Sequence, residues 1–278
     1  MKKLLTVAAT LSLVYLTPVA VQAGPQADLK EFRAYFSERF PDVPFEDYVN
    51  GVYAIDEASR EQWESIEEFP PYELNIEKGK ELFNTPFKNG KTYASCFRNE
   101  GIGIKQDFPY YDASSGDVIT LESAINTCRE ENGEQALAWS KGAIADISAY
   151  MAYTSRGNTI DVKVSADQGA MKAYDEGKFH FYSKRGQLNL SCADCHQFNA
   201  GNRIRADLLS PALGHASHFP VYRSKWGGLG TLHRRYEGCN KQVRAKPFAP
   251  QSDEYRNLEY FHTFISNGLP MNGPGARK

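Results

Sequence analysis

The segment Cys192-Ala193-Asp194-Cys195-His196 is the most informative stretch of this chain. Its C-x-x-C-H spacing is the attachment pattern of c-type haem, since two thiols can join the two vinyl groups of one haem edge while the adjacent imidazole binds the iron. The second C-x-x-C pair that a zinc ribbon needs is absent from the sequence. A thioredoxin-type pair opens a helix, whereas this motif is expected to end a helical segment. The sequence therefore predicts haem attachment through Cys192 and Cys195, with His196 as the proximal iron ligand.

The sequence on both sides of this motif is typical of α-helices. Ser165 is a candidate N-cap for a helix that runs to Phe181 with apolar residues at helical spacing. Near the C-terminus, residues 257–266 carry their apolar side chains on one helical face. These two helices resemble the opening and closing helices of a class I cytochrome c domain. The fold class we predict is mainly α.

The chain also contains an internal repeat. Matching residues are separated by 111 positions in the later part of each copy and by 98 positions in the earlier part, which requires an insertion of 111 − 98 = 13 residues in the second copy. The matches, given as first copy and second copy, are Gly79-Lys80 and Gly177-Lys178, Phe83 and Phe181, Thr120-Leu121 and Thr231-Leu232, Cys128 and Cys239, and residues 146–157 and 257–268.

The repeat predicts two class I cytochrome c-like domains that arose by internal duplication. Residues 24–160 are predicted to hold an N-terminal helical extension and a first domain without haem, and residues 161–278 to form the haem-binding domain. The extension is predicted from Leu29, Phe32 and Phe36, which recur at helical spacing.

The first 23 residues have the pattern of a secretory signal peptide. Lys2 and Lys3 precede an apolar run from Leu4 to Leu16, and Ala23 ends a segment of the small-residue cleavage type. An uncleaved membrane anchor is the alternative, but the apolar run is short for a membrane span. Cleavage leaves 278 − 23 = 255 residues with no membrane span and predicts a periplasmic protein, in a compartment that permits disulfides.

The overall composition excludes several classes of protein. With 24% charged and 41% hydrophobic residues, the chain is neither disordered nor fibrous. Its formal net charge of −2 argues against a protein that coats nucleic acid.

The first copy lacks the haem motif. Ser95-Cys96-Phe97-Arg98-Asn99 stands at the expected place, with one cysteine and no adjacent histidine. In an oxidising compartment, we predict a disulfide between Cys96 and Cys128 across the place that haem would fill, the alternative being two separate buried thiols. The chain is therefore predicted to bind one covalently attached haem c.

Cys239 is then the one cysteine of five that is left over. It lies between the haem motif and the closing helix, where this fold supplies its distal ligand, and its basic neighbours favour the thiolate. His218, His215 and Met271 are rival ligands, although Met271 follows the closing helix. His233 and His262 are further candidates, and His262 lies on that helix. Thiolate ligation would favour a low reduction potential and points towards sulfur chemistry.

Arg235 stands four residues before Cys239, whereas Ala124 occupies the equivalent position of the first copy. A guanidinium beside a reactive sulfur is suited to bind a small oxyanion through paired, charge-assisted hydrogen bonds. We therefore predict that Arg235 binds an anionic substrate.

Together these features resemble the SoxA family, the catalytic cytochrome subunits of the SoxAX complexes of bacterial thiosulfate oxidation. The resemblance covers essentially the whole mature chain and rests on the two cytochrome-like halves, Cys192-x-x-Cys195-His196 and Arg235-x-x-x-Cys239. At Cys96-Phe97 the chain departs from the two-haem members and resembles the single-haem type.

The resemblance implies an L-cysteine S-thiosulfotransferase. Such an enzyme joins thiosulfate oxidatively to a cysteine of the carrier protein SoxYZ, and the electrons leave through haem to SoxX, its partner in a heterodimer. Cys239 would be both distal iron ligand and catalytic sulfur, often as a persulfide, and Arg235 would bind thiosulfate. The alternatives are a periplasmic electron-transfer cytochrome without catalysis and a haem-based sensor that releases Cys239.

Overall fold

The computed structural model describes residues 24–277, and most of its regular structure is helical. The predicted signal peptide, residues 1–23, lies outside the described residues. No helix within residues 24–277 combines the length and the apolar character that crossing a bilayer requires. The helices are α1 (Pro25–Arg39), α2 (Glu57–Glu67), α3 (Glu73–Asn84), α4 (Leu121–Glu131), α5 (Ala143–Tyr153), α6 (Gln168–Tyr182), α7 (Leu232–Gln242) and α8 (Asp253–Phe264).

The strands are short and form three small sheets. In the first two sheets β1 (Tyr110–Asp112) pairs with β2 (Asp117–Ile119), and β3 (Arg203–Ile204) pairs with β4 (Asp207–Leu208), both antiparallel. In the third sheet β5 (Val221–Arg223) lies between β6 (Gly228–Gly230), which is antiparallel to it, and β7 (Gly275–Arg277), which is parallel.

The hairpins repeat the offset of 111 that the sequence shows. Each residue pair of β1 and β2 has its counterpart in β5 and β6; Tyr110 opposite Ile119, for example, corresponds to Val221 opposite Gly230. Both hairpins also follow a cis X-Pro bond, Phe108-Pro109 in one copy and Phe219-Pro220 in the other. The repeat therefore extends from α3 to α8 and includes the hairpins as well as the helices.

The main helix crossing of each copy depends on a glycine. A Cβ atom on Gly79 of α3 would lie 1.9 Å from the backbone oxygen of Asp146 in α5. A Cβ atom on Gly177 of α6 would lie 2.0 Å from the backbone oxygen of Asn257 in α8. Because both distances are far below a van der Waals contact, each crossing is close enough to admit only a hydrogen atom at this position.

Replacing either glycine by alanine is expected to destabilise the fold. Gly79→Ala and Gly177→Ala should each lower the free energy of unfolding by about 1–3 kcal/mol, because the new methyl group must separate two packed helices. Gly228→Ala is the matched control, since a Cβ there would meet no atom within 4 Å. Urea unfolding of the three variants measures the difference, and equal midpoints for all three would contradict the close-crossing explanation.

The two halves have separate cores, and each hairpin packs a residue into the core of the other half. Val118 of β2 packs into the core built by α1, α6 and α8, whereas Leu229 of β6 packs into the core built by α3, α4 and α5. These residues are 111 positions apart and therefore equivalent, so each hairpin contributes to the core of the other half. The domain boundary at residue 160 stays a prediction.

The N-terminal extension lies on the second half. Phe32 and Phe36 of α1 are buried in its core, and the Phe32 ring centre is 6.1 Å from that of Phe181. Asp28 accepts a hydrogen bond from Lys178 at 2.7 Å. The helix predicted at this position is confirmed, and it covers α6.

The N-cap of α6 is Asp167, not Ser165. Helix α6 begins at Gln168, and the Asp167 carboxylate accepts hydrogen bonds from the backbone N–H groups of Gly169 and Ala170. A carboxylate at this position satisfies two free helix donors, which a hydroxyl two residues further upstream cannot reach.

Candidate active site

The haem motif opens a short helix of its own, so the expectation that it ends a helical segment is wrong. Helix α6 ends at Tyr182, and a loop leads to Ser191. Ser191 and Asp194 then cap each other, since the backbone N–H of Ser191 donates to Asp194 Oδ2 at 2.8 Å and the backbone N–H of Asp194 donates to Ser191 Oγ at 3.0 Å. A π-helical turn follows over Asp194–Phe198.

The imidazole of His196 is oriented by Ser210. Its Nδ1 lies 3.0 Å from the backbone oxygen of Ser210, so Nδ1 carries the proton and donates it. Nε2 is left as the nitrogen that can bind a metal. His215 lies on the Nδ1 side, because its Nε2 is 2.6 Å from Ser210 Oγ and its ring is 4.5 Å from that of His196. This position makes His215 a neighbour of the proximal histidine instead of a ligand opposite it.

Cys239 meets His196 from helix α7, and Arg235 stands one turn before it on the same helical face. Burial by itself raises the pKa of the Cys239 thiol, but the charges of Arg235 and Arg223 and a hydrogen bond with His196 outweigh burial and lower that pKa to about 7. Cys239 as a residue is half-buried. The site therefore combines a stabilised thiolate, a cation and an imidazole at one point.

The two cysteines of the C-x-x-C-H motif lie in the same place. Burial, followed by the electrostatic interaction with the sulfur of Cys239, raises the pKa of the Cys192 thiol to about 12 and also raises the pKa of the Cys195 thiol. The loop before the motif is tied to α7 by a hydrogen bond from Arg185 to Asn240. The five residues predicted from the sequence thus converge on one site: Cys192, Cys195, His196, Arg235 and Cys239.

The rival distal ligands are placed elsewhere. Met271 is 3% exposed and packs in the core, where it lines a small cavity with Lys105 and Leu232. His218 is buried beside Arg277, and burial followed by the charge of Arg277 lowers its pKa well below the usual value. His262 is held in α8, where its Nδ1 lies 3.1 Å from the hydroxyl of Tyr236.

A polar seam fixes α7 on α8. It consists of three contacts: His233 Nε2 to Glu259 Oε2 at 3.0 Å, Tyr236 hydroxyl to His262 Nδ1 at 3.1 Å, and Asn240 Nδ2 to the Tyr255 hydroxyl at 3.0 Å. At the offset of 111, the corresponding pairs in the first copy are Glu122 with Ser148, Ile125 with Met151, and Arg129 with Ile144. The seam is more polar in the copy that carries Cys239, and it holds the helix of that cysteine in place.

The equivalent point of the first copy is closed by a disulfide. Cys96 and Cys128 are bonded, with their Cα atoms 5.8 Å apart. Cys128 is the counterpart of Cys239 at the offset of 111. The predicted disulfide is therefore present. It bonds Cys128, whose counterpart in the second copy, Cys239, is free.

A haem c fits the donor set of the second copy. The two thiols of Cys192 and Cys195 are the groups that covalent attachment would use, and the free Nε2 of His196 and the sulfur of Cys239 are groups that could bind the iron.

Arg223 is a site residue that the sequence motifs missed. It ends β5, and its charge acts on both Arg235 and the Cys239 sulfur. Burial, followed by repulsion from Arg235, lowers the pKa of Arg223 to about 10. Extending the repeat to the hairpins would have singled it out, because Asp112 stands at the equivalent position of the first copy.

Known proteins resemble this chain over nearly its whole length. Residues 78–160, in the half without the haem motif, match the family described as SoxA/TsdA, cytochrome c domain. The L-cysteine S-thiosulfotransferase subunit SoxA of Chlorobaculum tepidum is 58% identical over 260 residues, which are 94% of this chain and 90% of the relative. The chain belongs to the SoxA family. The SoxA subunit of Allochromatium vinosum is 52% identical, over 92% of this chain and 91% of its own length.

A solved structure of the family agrees with the fold. The crystal structure of SoxXA from P. pantotrophus matches with a TM-score of 0.72 and 31% sequence identity, over 78% of this chain and 84% of the other. The predicted mainly α, cytochrome c-like fold is thereby confirmed, and the SoxA family's cytochrome c domain implies haem c as the cofactor.

Proposed function

We propose that this chain is the SoxA subunit of an L-cysteine S-thiosulfotransferase. It would join thiosulfate oxidatively to a cysteine of a SoxYZ carrier protein, with SoxX as the cytochrome partner in a heterodimer. The observation that carries the proposal is the convergence of Cys239, Arg235 and His196 in a member of a family whose relatives have this name. The matched crystal structure is that of SoxXA, which supports the choice of partner.

The cofactor we propose is a single haem c, attached through Cys192 and Cys195. His196 would bind the iron through Nε2, since Nδ1 is engaged by Ser210, and the Cys239 sulfur would be the second iron ligand. When bound, the haem supplies the acceptor for the electrons that sulfur oxidation releases. The disulfide at Cys96 and Cys128 supports a count of one haem.

The reaction would proceed in two balanced steps at Cys239. First, the Cys239 thiolate and thiosulfate form an S–S bond, giving a cysteine S-thiosulfonate and releasing two electrons, of which the haem of this chain and the haem of the SoxX partner would accept one each. Then a thiolate of the carrier attacks the sulfane sulfur, takes the thiosulfonate group and frees the Cys239 thiolate. Arg235 offsets the negative charge that keeps two sulfur anions apart.

The compartment we propose is the periplasm, reached through the signal peptide of residues 1–23. The disulfide between Cys96 and Cys128 is compatible with an oxidising compartment.

The direct test is conversion of the carrier by the purified holo-complex. Thiosulfate, oxidised complex and SoxYZ should give a carrier cysteine whose mass has grown by one thiosulfonate group, together with reduced haem in the optical spectrum. A carrier of unchanged mass, in a complex that still transfers electrons, would favour the electron-transfer cytochrome instead. Mass spectrometry of the Cys239 peptide tests in the same sample whether one extra sulfur atom is present as a persulfide.

Removing the charge of Arg235 is expected to weaken the use of thiosulfate without changing the haem. Arg235→Gln should raise KM for thiosulfate about 10- to 100-fold, because a charge-assisted hydrogen-bond pair is lost. The optical spectrum should stay as in the wild type, since the side chain is not an iron ligand. Steady-state rates with SoxYZ measure the effect. A KM within about twofold of the wild type would show that Arg235 is an ordinary surface charge and does not bind thiosulfate.

A further inference from the structure

The loop that leads into the haem motif is fastened to the end of helix α7. The Arg185 guanidinium donates hydrogen bonds to the Asn240 side chain and to the backbone oxygen of Lys246, the latter at 3.1 Å. The backbone N–H of Leu188 donates to the backbone oxygen of Val243 at 3.3 Å. Carbonyl groups at a helix C-terminus have no partner within the helix, so the loop supplies one. We call these three contacts the Arg185 clasp.

The geometry of the clasp is closely defined. The Arg185 guanidinium lies over the ring of Phe248, 4.1 Å from the ring centre, which restricts this long side chain. Arg185 also exchanges two backbone hydrogen bonds with Leu190, at 3.1 and 3.2 Å. A Cβ atom on Gly186 would lie 2.1 Å from the backbone oxygen of Val243, so the loop touches the helix end directly. The loop therefore cannot slide along α7 without breaking several contacts at once.

The clasp connects the haem motif with the free cysteine through few residues. On the loop side, Leu190 stands two residues before Cys192. On the helix side, Asn240 follows Cys239, and the backbone oxygen of Cys239 accepts a hydrogen bond from the N–H of Val243 at 3.2 Å. A shift of the loop against α7 is therefore passed directly to the spacing between the two cysteines.

The first copy joins the equivalent parts in a different way. At the offsets of 98 and 111, Arg185 corresponds to Phe87 and Asn240 corresponds to Arg129, and a phenylalanine side chain donates no hydrogen bond. There the disulfide ties the segment at the motif position covalently to α4, the counterpart of α7. In the second copy Cys239 stays free, and the non-covalent clasp joins the loop to the helix.

We propose that Arg185 is a positioning residue, which holds the Cys239 sulfur within bonding reach of the haem iron by fixing α7 against the loop of the haem motif. The inference rests on the proposed function, because it takes Cys239 as an iron ligand. Arg185 makes both side-chain contacts of the clasp from one planar guanidinium, a geometry that lysine and glutamine do not reproduce. Thiolate ligation lowers the reduction potential of a haem, so loosening the clasp should raise that potential.

The experiment is a potentiometric titration of the holo-complex, followed optically. The component that belongs to this chain is the one that Cys239→Ser alters. In Arg185→Gln, we expect the equilibrium constant for its reduction to rise at least about tenfold, which is about 59 mV for one electron. The sign of the shift is decisive, because losing a nearby positive charge without any movement of Cys239 would favour ferric haem and lower the potential.

Two further variants separate the clasp from the charge. Gly186→Ala keeps every charge but places a methyl group against Val243, so it should also raise the potential. Arg185→Lys keeps the positive charge and should give an intermediate rise, because an ammonium group lacks the planar fork that reaches both acceptors. Gln187→Ala is the matched control in the same loop. Its exposed side chain contacts Arg244 at 3.5 Å, outside the clasp, and the potential should be that of the wild type.

An unchanged or lower potential in Arg185→Gln, or an equal rise in Gln187→Ala, would overturn the positioning role. The same holds if Cys239→Ser leaves the haem spectrum and both potentials of the complex unchanged, since Cys239 is then no iron ligand. If Arg185→Gln raises the potential but the wild type never modifies SoxYZ, the positioning role stands and the proposed function fails. If the wild type modifies SoxYZ and Arg185→Gln keeps the wild-type potential, the reverse holds.

Discussion

Cys239→Ser is expected to abolish the thiosulfate-dependent modification of SoxYZ, with a loss of at least about 1,000-fold in kcat/KM. Serine is close to cysteine in size, but its hydroxyl does not ionise near neutral pH and cannot form the S–S bond. The neighbouring cations that lower the pKa of the thiol to about 7 have no comparable effect on a hydroxyl. The oxidised holo-complex, thiosulfate and carrier give the rate by mass spectrometry.

Cys239→Met separates the reacting sulfur from the iron ligand. A thioether can bind iron but cannot ionise, so this variant should keep a six-coordinate optical spectrum, gain the charge-transfer band of methionine ligation and remain inactive. Lys241→Gln, at an exposed position of the same helix, is the control and should turn over like the wild type. Unchanged turnover in Cys239→Ser would refute the catalytic role of this cysteine.

The parts of the site that lie close together in sequence could be predicted. The residues of the haem-attachment motif, Cys192, Cys195 and His196, stand within five consecutive residues, and Arg235 and Cys239 share one helical face at a spacing of four. Within each of these two segments, the spacing along the chain alone determines which side chains meet, whatever the surrounding fold. The internal repeat supported the cytochrome c-like fold class, because the same crossing of two helices is expected in each copy.

Other features depended on tertiary contacts and could not be predicted in this way. Arg223 lies 239 − 223 = 16 residues before Cys239 on a strand, so neither the C-x-x-C-H motif nor helical spacing from Cys239 points to its electrostatic interaction with that sulfur. Val118 and Leu229 each pack into the core of the other half, and this packing likewise depends on the tertiary arrangement of the two hairpins. The start of the haem-motif helix was missed for a local reason, since Ser191 and Asp194 cap each other and detach the motif from α6.

Removing the disulfide of the first copy is expected to be the largest single effect on stability that leaves the haem site intact. The double substitution Cys96→Ala and Cys128→Ala should lower the free energy of unfolding by about 3–4 kcal/mol, because the bond closes a chain segment with a sequence separation of 32 and restricts the unfolded state. Denaturant unfolding followed by far-UV circular dichroism measures the loss.

The loss should be confined to stability because the disulfide belongs to the core of α3, α4 and α5, whereas the haem motif and Cys239 belong to the second half. The thiosulfate Kd and the haem spectrum of the double variant should therefore match those of the wild type below the unfolding transition. A reductant that opens the disulfide should destabilise the wild type by the same amount and leave the double variant unaffected. If wild type and double variant unfold at the same denaturant concentration, the bond does not stabilise the first half, and its position opposite Cys239 in the repeat needs another explanation.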